Sequence, residues 1–83
     1  MADARLNITY GGSNGDLPDL VDGDASDADV KAWATEAVRG GGVPGIAVDP
    51  GADFSDFVVD RFPPTEGRPF PLLVLRPKTP FGA

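Results

Sequence analysis

The chain has 83 residues, enough for one small domain with a modest hydrophobic core. It contains no cysteine and no histidine, which excludes disulfides, thiolate metal sites and thiol nucleophiles and removes the commonest general base near neutral pH. Its net charge of −6 argues against nucleic acid or an anionic membrane as a partner, because both require a basic surface.

The first predicted elements are two antiparallel strands. Residues 5–10, RLNITY, alternate apolar and polar side chains, which predicts a half-buried strand. The glycine-rich segment GGSNGD that follows is typical of a hairpin turn. A weaker second strand is predicted at residues 17–21, LPDLV. Pro18 lacks an N–H, so it places this strand at a sheet edge.

A helix follows in the segment DASDADVKAWATEAVRGGG. Ser26 is a predicted N-cap, and Asp29 three residues later completes a capping-box arrangement. The glycines at 40–42 end the helix. Its apolar side chains recur at helical spacing and form one stripe: Val30, Trp33, Ala34, Ala37 and Val38. We expect Trp33 to anchor the core rather than to serve as a ligand platform.

The second half of the chain contains two more predicted strands. A long loop rich in glycine and proline leads to DFVVDRF at residues 56–62. After the turn PPTEGRP, the last strand FPLLVLR is almost continuously apolar, which predicts burial on both faces and a central position in the sheet. The predicted class is therefore α+β, and a β-grasp fold fits: a mixed sheet of four to five strands packed on one helix.

Several segments resemble ubiquitin, in the same order and at similar spacing. Ubiquitin's helix begins with a hydroxyl N-cap, three residues and Val-Lys-Ala, and here Ser26 precedes Val-Lys-Ala at 30–32. Gly-Val-Pro at 42–44 is similar to the Gly-Ile-Pro that follows ubiquitin's helix. Leu-Val-Leu-Arg at 73–76 is identical to the end of ubiquitin's last strand. The chain thus resembles the bacterial ubiquitin-like proteins over roughly residues 5–82.

The resemblance implies a two-part organisation and a function. Residues 1–76 would form a ubiquitin-like domain, and residues 77–83 a flexible C-terminal tail. The chain would be a protein modifier, whose terminal glycine is adenylated by an activating enzyme and passed through a conjugating enzyme to a protein target. Gly82, preceded by Phe81, would be the conjugation terminus, after a processing peptidase has removed Ala83.

The tail composition suits threading into an enzyme. Two prolines keep the segment extended and reduce the entropy lost on binding. Arg76 matches the arginine by which the activating enzyme recognises ubiquitin, so the implied recognition segment runs through Arg76, Pro77, Lys78, Thr79 and Pro80.

The resemblance also implies an interaction patch on the sheet. Ubiquitin is recognised mainly through one exposed apolar patch, and the position of its C-terminal member falls on Val74. Leu72 should face the same way, because alternate strand residues share a face. The neighbouring strand would add Val58 or Val59. The alternative is that the loops simply cover Leu72 and Val74.

No catalytic residue, metal site or bound cofactor is predicted in the chain itself. The acidic run DLPDLVDGDASDAD lacks the regular spacing and closing glutamate of a calcium loop, so its carboxylates are expected to be solvated. ATP would be used by the activating enzyme. A cytoplasmic location is expected, since no stretch is apolar enough to span a bilayer and the opening MADARLNITY lacks the pattern of a signal peptide.

One departure from ubiquitin keeps two alternatives open. Ubiquitin's tail ends in Gly-Gly, whereas this sequence has Phe-Gly-Ala at 81–83. A sulfur carrier for cofactor synthesis shares the fold and the adenylation chemistry but normally requires the Gly-Gly ending. A non-conjugating β-grasp interaction module would need no functional tail.

Overall fold

A computed structural model describes residues 3–78 as a mixed five-stranded sheet packed on one helix. In chain order the elements are β1 (Asp3–Tyr10), β2 (Ser13–Asp16), β3 (Val21–Asp22), α1 (Asp27–Arg39), β4 (Phe57–Phe62) and β5 (Leu72–Pro77). The predicted α+β class, with a mixed sheet on a single helix, is confirmed. In this part of the chain no helix is long and apolar enough to cross a membrane.

The last strand lies in the middle of the sheet, as its apolar sequence predicts. The strand order is β2-β1-β5-β4, and β3 pairs separately with the start of β1. The β1–β5 pair is parallel, whereas β1–β2, β1–β3 and β4–β5 are antiparallel. The first and last strands of the domain are therefore direct neighbours, with Leu6 opposite Leu73 and Ile8 opposite Leu75.

The predicted second strand at residues 17–21 is wrong. Only Gly11 and Gly12 form the hairpin turn, with φ angles of 60° and 81°, and Ser13 already pairs with Tyr10. Two consecutive residues with positive φ give a tight turn whose twist matches that of the strands. The rest of GGSNGD is consequently free to form β2.

Residues 17–20 run as a loop, and the segment pairs with the sheet as a strand only from Val21. Val21 pairs with Ala4, while Pro18 and Asp19 are exposed outside any strand. Leu17 is held by a hydrogen bond of 2.8 Å from its backbone N–H to the carbonyl oxygen of Leu6. Residues 17–20 therefore do not form the predicted edge strand of the sheet.

The helix begins and ends where its sequence predicts. Ser26 is the N-cap, and its Oγ accepts a hydrogen bond of 3.1 Å from the backbone N–H of Asp29. Gly40 is the C-cap, and its N–H donates to the carbonyl oxygen of Glu36 at 3.0 Å. Arg61 of β4 fastens the segment before the helix, donating to the Ala25 carbonyl oxygen at 2.8 Å.

The core lies between the helix and one face of the sheet, and a loop completes it. The fully or almost fully buried apolar residues come from β1, α1, the loop between α1 and β4, and β5: Ala4, Leu6, Ile8, Val30, Ala34, Val38, Val43, Ile46, Ala52, Phe54, Leu73 and Leu75. Four of these residues, Val43, Ile46, Ala52 and Phe54, belong to the loop. The loop sequence has no periodic pattern from which their burial could be predicted.

Trp33 packs against this core without being enclosed by it. Val30, Ala34 and Val38 are the buried members of the predicted stripe, whereas Trp33 and Ala37 are only half-buried. The helix does carry the predicted apolar stripe, but the sheet covers only part of the width of that stripe. One side of Trp33 faces a cleft between the helix and the loop of residues 17–22.

A tyrosine–aspartate hydrogen bond ties β1 to the long loop. The Tyr10 hydroxyl donates to Asp49 Oδ2 at 2.6 Å. This bond stabilises the ionised carboxylate and so lowers the pKa of Asp49, and a second bond from the Gly51 N–H acts in the same direction. The same contact with Asp49 raises the pKa of the Tyr10 phenol, because it favours the protonated donor.

We expect Tyr10→Phe to lower the melting temperature only within a window of pH. A lowered carboxyl pKa stabilises the fold above the unfolded value of about 4, and that contribution is lost in acid. A raised phenol pKa stabilises the fold below about 10, and that contribution is lost in alkali. Thermal unfolding of both proteins across this range should show the largest difference on the plateau between the two limits. A difference that does not vary with pH would contradict the assignment.

Candidate interaction face

The sheet face turned away from the helix gathers the residues of the predicted patch. Leu73 and Leu75 of β5 are buried in the core. Successive strand residues point to opposite faces, so the side chains of Leu72 and Val74 point to this outer face. On β4, Val58 pairs with Arg76 and therefore shares the same face, whereas Val59 pairs with Leu75 on the core side.

The register thus brings Val58, rather than Val59, together with Leu72 and Val74. All three side chains are half-buried, so they are neither enclosed like Leu73 nor fully open. That this surface binds a partner stays a prediction.

Phe62 extends the patch and was missed by the sequence analysis. It lies opposite Leu72 in the β4–β5 ladder and is 45% exposed. The signal was present in the alternation of FVVDRF, which places Val58, Asp60 and Phe62 on one face of the strand. The apolar part of the outer face therefore spans both strands, and we call Val58, Phe62, Leu72 and Val74 the outer patch.

The other half of the outer face is polar. Asn7 of β1 and Asn14 of β2 exchange side-chain amide hydrogen bonds of 3.0 and 2.8 Å. Asn7 also donates to Asp16, and Asn14 to Thr9, at 2.8 and 2.9 Å. These amides satisfy one another across the strands, so this part of β1 and β2 presents polar groups on the outer face.

Arg76 forms an ion pair with Asp60, which lies opposite Val74 and between Val58 and Phe62 on β4. Its guanidinium Nε contacts Asp60 Oδ2, and its Nη2 lies 3.5 Å from Asp60 Oδ1. The hydrogen bond and the negative charge of Asp60 raise the pKa of Arg76 above its ordinary value. The residue predicted to mark recognition by an activating enzyme is therefore held on the outer face, beside Val74.

We expect the Arg76–Asp60 pair to contribute little to stability. The two side chains are 42% and 33% exposed, and ion pairs in such positions contribute about 0.2–1 kcal/mol. A double-mutant cycle with Arg76→Gln and Asp60→Asn, followed by urea unfolding, measures the coupling energy. A coupling well above 2 kcal/mol would show that the pair is a structural requirement of the fold.

The tail residues are only partly described. Pro77 ends β5, where it pairs with Phe57, and both Pro77 and Lys78 are exposed. The predicted recognition residues Thr79 and Pro80 lie outside the described residues, and so do the predicted conjugation and processing positions at 81–83.

Carboxylates of the acidic run at residues 16–29 contact other groups of the domain. Asp22 accepts a hydrogen bond of 2.9 Å from the backbone N–H of Asp24. Asp27 pairs with Arg61 of β4 at 2.6 Å. Between residues 3 and 78, no group of three or more carboxylates is arranged to hold a metal ion.

Comparisons with protein-family models, curated proteins and solved structures find no match for this chain.

Proposed function

We propose that this chain is a β-grasp protein of the ubiquitin-like class and acts as a protein modifier through the carboxylate of Gly82. The observation that carries the proposal is the parallel pairing of β1 with β5 at the centre of the sheet. In a β-grasp fold the first and last strands pair side by side, and the helix crosses one face of the sheet. The Leu-Val-Leu-Arg match at 73–76 lies in that central strand.

In the proposed reaction this chain supplies the acyl group, and the partner enzymes supply the catalytic groups. A carboxylate oxygen of Gly82 attacks the α-phosphate of ATP, which gives an acyl adenylate and releases pyrophosphate. A nucleophile of the enzyme then attacks the acyl carbon and releases AMP. Glycine suits this terminus because it has no Cβ to obstruct a narrow channel. Residues that follow Gly82, here Ala83, must be removed by a peptidase first.

The described part of the chain supports this role with a candidate recognition surface. The outer patch offers four apolar side chains on two adjacent strands, of which Phe62 is exposed and the other three are half-buried. Exposed apolar patches mark binding sites more often than chance. Arg76 lies on the same face and is followed by Pro77, which is still the last residue of β5, and then by Lys78. An activating enzyme could therefore contact the outer patch and the emerging tail together.

The proposal is tested by the intact mass of the chain recovered from its native host. A tag at the N-terminus leaves Gly82 available, and a version truncated after Lys78 is the matched control. A modifier should lose Ala83 and appear in covalent adducts with other proteins, which the truncated control does not form. Replacement of one terminal oxygen by sulfur would identify a sulfur carrier instead. An unchanged mass with no adducts would favour a non-conjugating interaction module.

A further inference from the structure

An open cleft of about 630 Å³ lies between the C-terminal half of α1 and the loop of residues 17–22. Trp33 and Ala37 form its helical wall, and Leu17, Leu20 and Val21 form the opposite wall. Leu20 is 47% exposed, one of the largest apolar exposures in the described chain. The loop is tied to β1 at both ends, by the Leu17–Leu6 hydrogen bond and by the pairing of β3, and residues 18–20 between these ends are exposed.

The polar groups around this cleft carry negative charge. Its rim contains three carboxylates, Asp19, Asp22 and Glu36, and no arginine or lysine is among its described lining residues. The C-terminal end of α1, which closes the cleft at Gly40, adds the negative end of the helix dipole.

The two cationic side chains of the helix, Lys31 and Arg39, form hydrogen bonds away from the cleft. Lys31 donates to the Ser55 carbonyl oxygen at 3.2 Å, and Arg39 donates to the Ala52 carbonyl oxygen at 2.9 Å. Both acceptors belong to the loop between α1 and β4, whereas the cleft is lined by the loop of residues 17–22. The carboxylates at the cleft are therefore not neutralised by these neighbours.

We propose that this cleft binds a cationic peptide segment of a partner protein. One apolar side chain of the peptide would pack between Trp33 and Leu20, and flanking lysine or arginine side chains would pair with the rim carboxylates. A cationic group near the indole would gain a further cation–π attraction. An open, apolar cleft with a charged rim suits an anchored peptide, and the net charge of −6 would attract it from a distance. This inference goes beyond the proposed function and does not depend on the tail.

The test uses Trp33 as its own reporter, since it is the single tryptophan of the chain. The full chain is titrated with the peptide acetyl-KLLKKLLK-amide and, separately, with acetyl-ELLEELLE-amide, while tryptophan emission is recorded. We expect a saturable shift of emission with the lysine peptide, weakened by added salt, and no shift with the glutamate peptide. Equal binding of both peptides, or no response of Trp33, would overturn the proposal.

Paired variants locate the site. Asp19→Asn with Glu36→Gln removes two rim charges, and Asp56→Asn with Glu66→Gln removes two exposed charges elsewhere. The rim pair should weaken binding by about tenfold or more, whereas the control pair should change it far less. Equal losses would mean that only the overall charge matters, which would overturn the proposal.

A second pair of variants tests the apolar anchor. Leu20→Ser should weaken peptide binding about tenfold, while Val48→Ser, at a residue that is 59% exposed outside the cleft, should not. Both variants should keep the circular dichroism of the parent. If Trp33 emission instead shifts with protein concentration alone and Leu20→Ser abolishes that shift, a second copy of the chain occupies the cleft and the peptide proposal fails.

Discussion

Replacing Phe54 with alanine is expected to destabilise the fold by about 3–5 kcal/mol, the largest loss that we expect from truncating one core residue between positions 3 and 78. Phe54 is 1% exposed and is among the largest fully buried side chains. Its ring lies 4.7 Å from that of Phe57 in an edge-on arrangement and 5.1 Å from that of Tyr10. Alanine would remove these contacts and leave a cavity in the centre of the aromatic cluster.

Such a loss of unfolding free energy should leave the variant only marginally stable. Domains are typically stable by about 5–15 kcal/mol, and a chain of this size belongs near the lower end. Urea unfolding followed by circular dichroism measures the change. Phe62→Ala is the matched control: the same truncation at a side chain that is 45% exposed on the outer face should cost about 1 kcal/mol or less. Equal costs at the two positions would contradict the assignment of Phe54 to the core.

The second large effect is expected at Gly82. Gly82→Val should abolish activation, because a branched side chain would obstruct the channel through which the carboxylate must reach ATP. The melting temperature of the variant is measured as well, so that a loss of fold is not mistaken for a loss of activation. Differential scanning calorimetry and an adenylation assay with the activating enzyme of the same host provide the two measurements.

Gly67→Val is the control for this experiment. It adds the same side chain at an exposed turn, where a new Cβ would meet nothing within 4 Å. This variant should keep both normal activation and normal melting. If Gly82→Val remains active, Gly82 is not the acyl terminus.

Local signals were sufficient to predict the helix and the central strand. Ser26 and Gly40 act within one turn of the chain, so cap chemistry alone places the ends of α1. The continuous apolar run of β5 predicts a central position in the sheet, and β5 does lie between β1 and β4. The predicted burial on both faces holds only for the core face, because Leu72 and Val74 on the outer face are half-buried.

Tertiary context decided the features that the sequence did not predict. GGSNGD can be turn throughout or turn followed by strand, and the pairing of Asn7 with Asp16 selects the second arrangement. The spacing of the helical stripe shows that Trp33 faces the sheet side but not how far the sheet extends beneath it. The burial of Phe54 arises from a loop without periodicity, so only the folded chain reveals it.

The candidate site was predictable only in part for the same reason. Alternation along β5 places Leu72 and Val74 on one face, but the choice between Val58 and Val59 depends on the ladder with β5. The pairing of Arg76 with Asp60 likewise requires the register, because the two residues are distant in sequence. The sequence predicts a strand at residues 17–21, so it gives no sign of the cleft beside Trp33.

The central claim, that Gly82 is the activated terminus, is tested most directly by ATP–pyrophosphate exchange. Two proteins are compared with the activating enzyme of the same host: one that ends at Gly82 and one that continues through Ala83. We predict rapid exchange with the first protein and none with the second. Exchange supported by the longer protein, with Ala83 retained in the adduct, would contradict the claim.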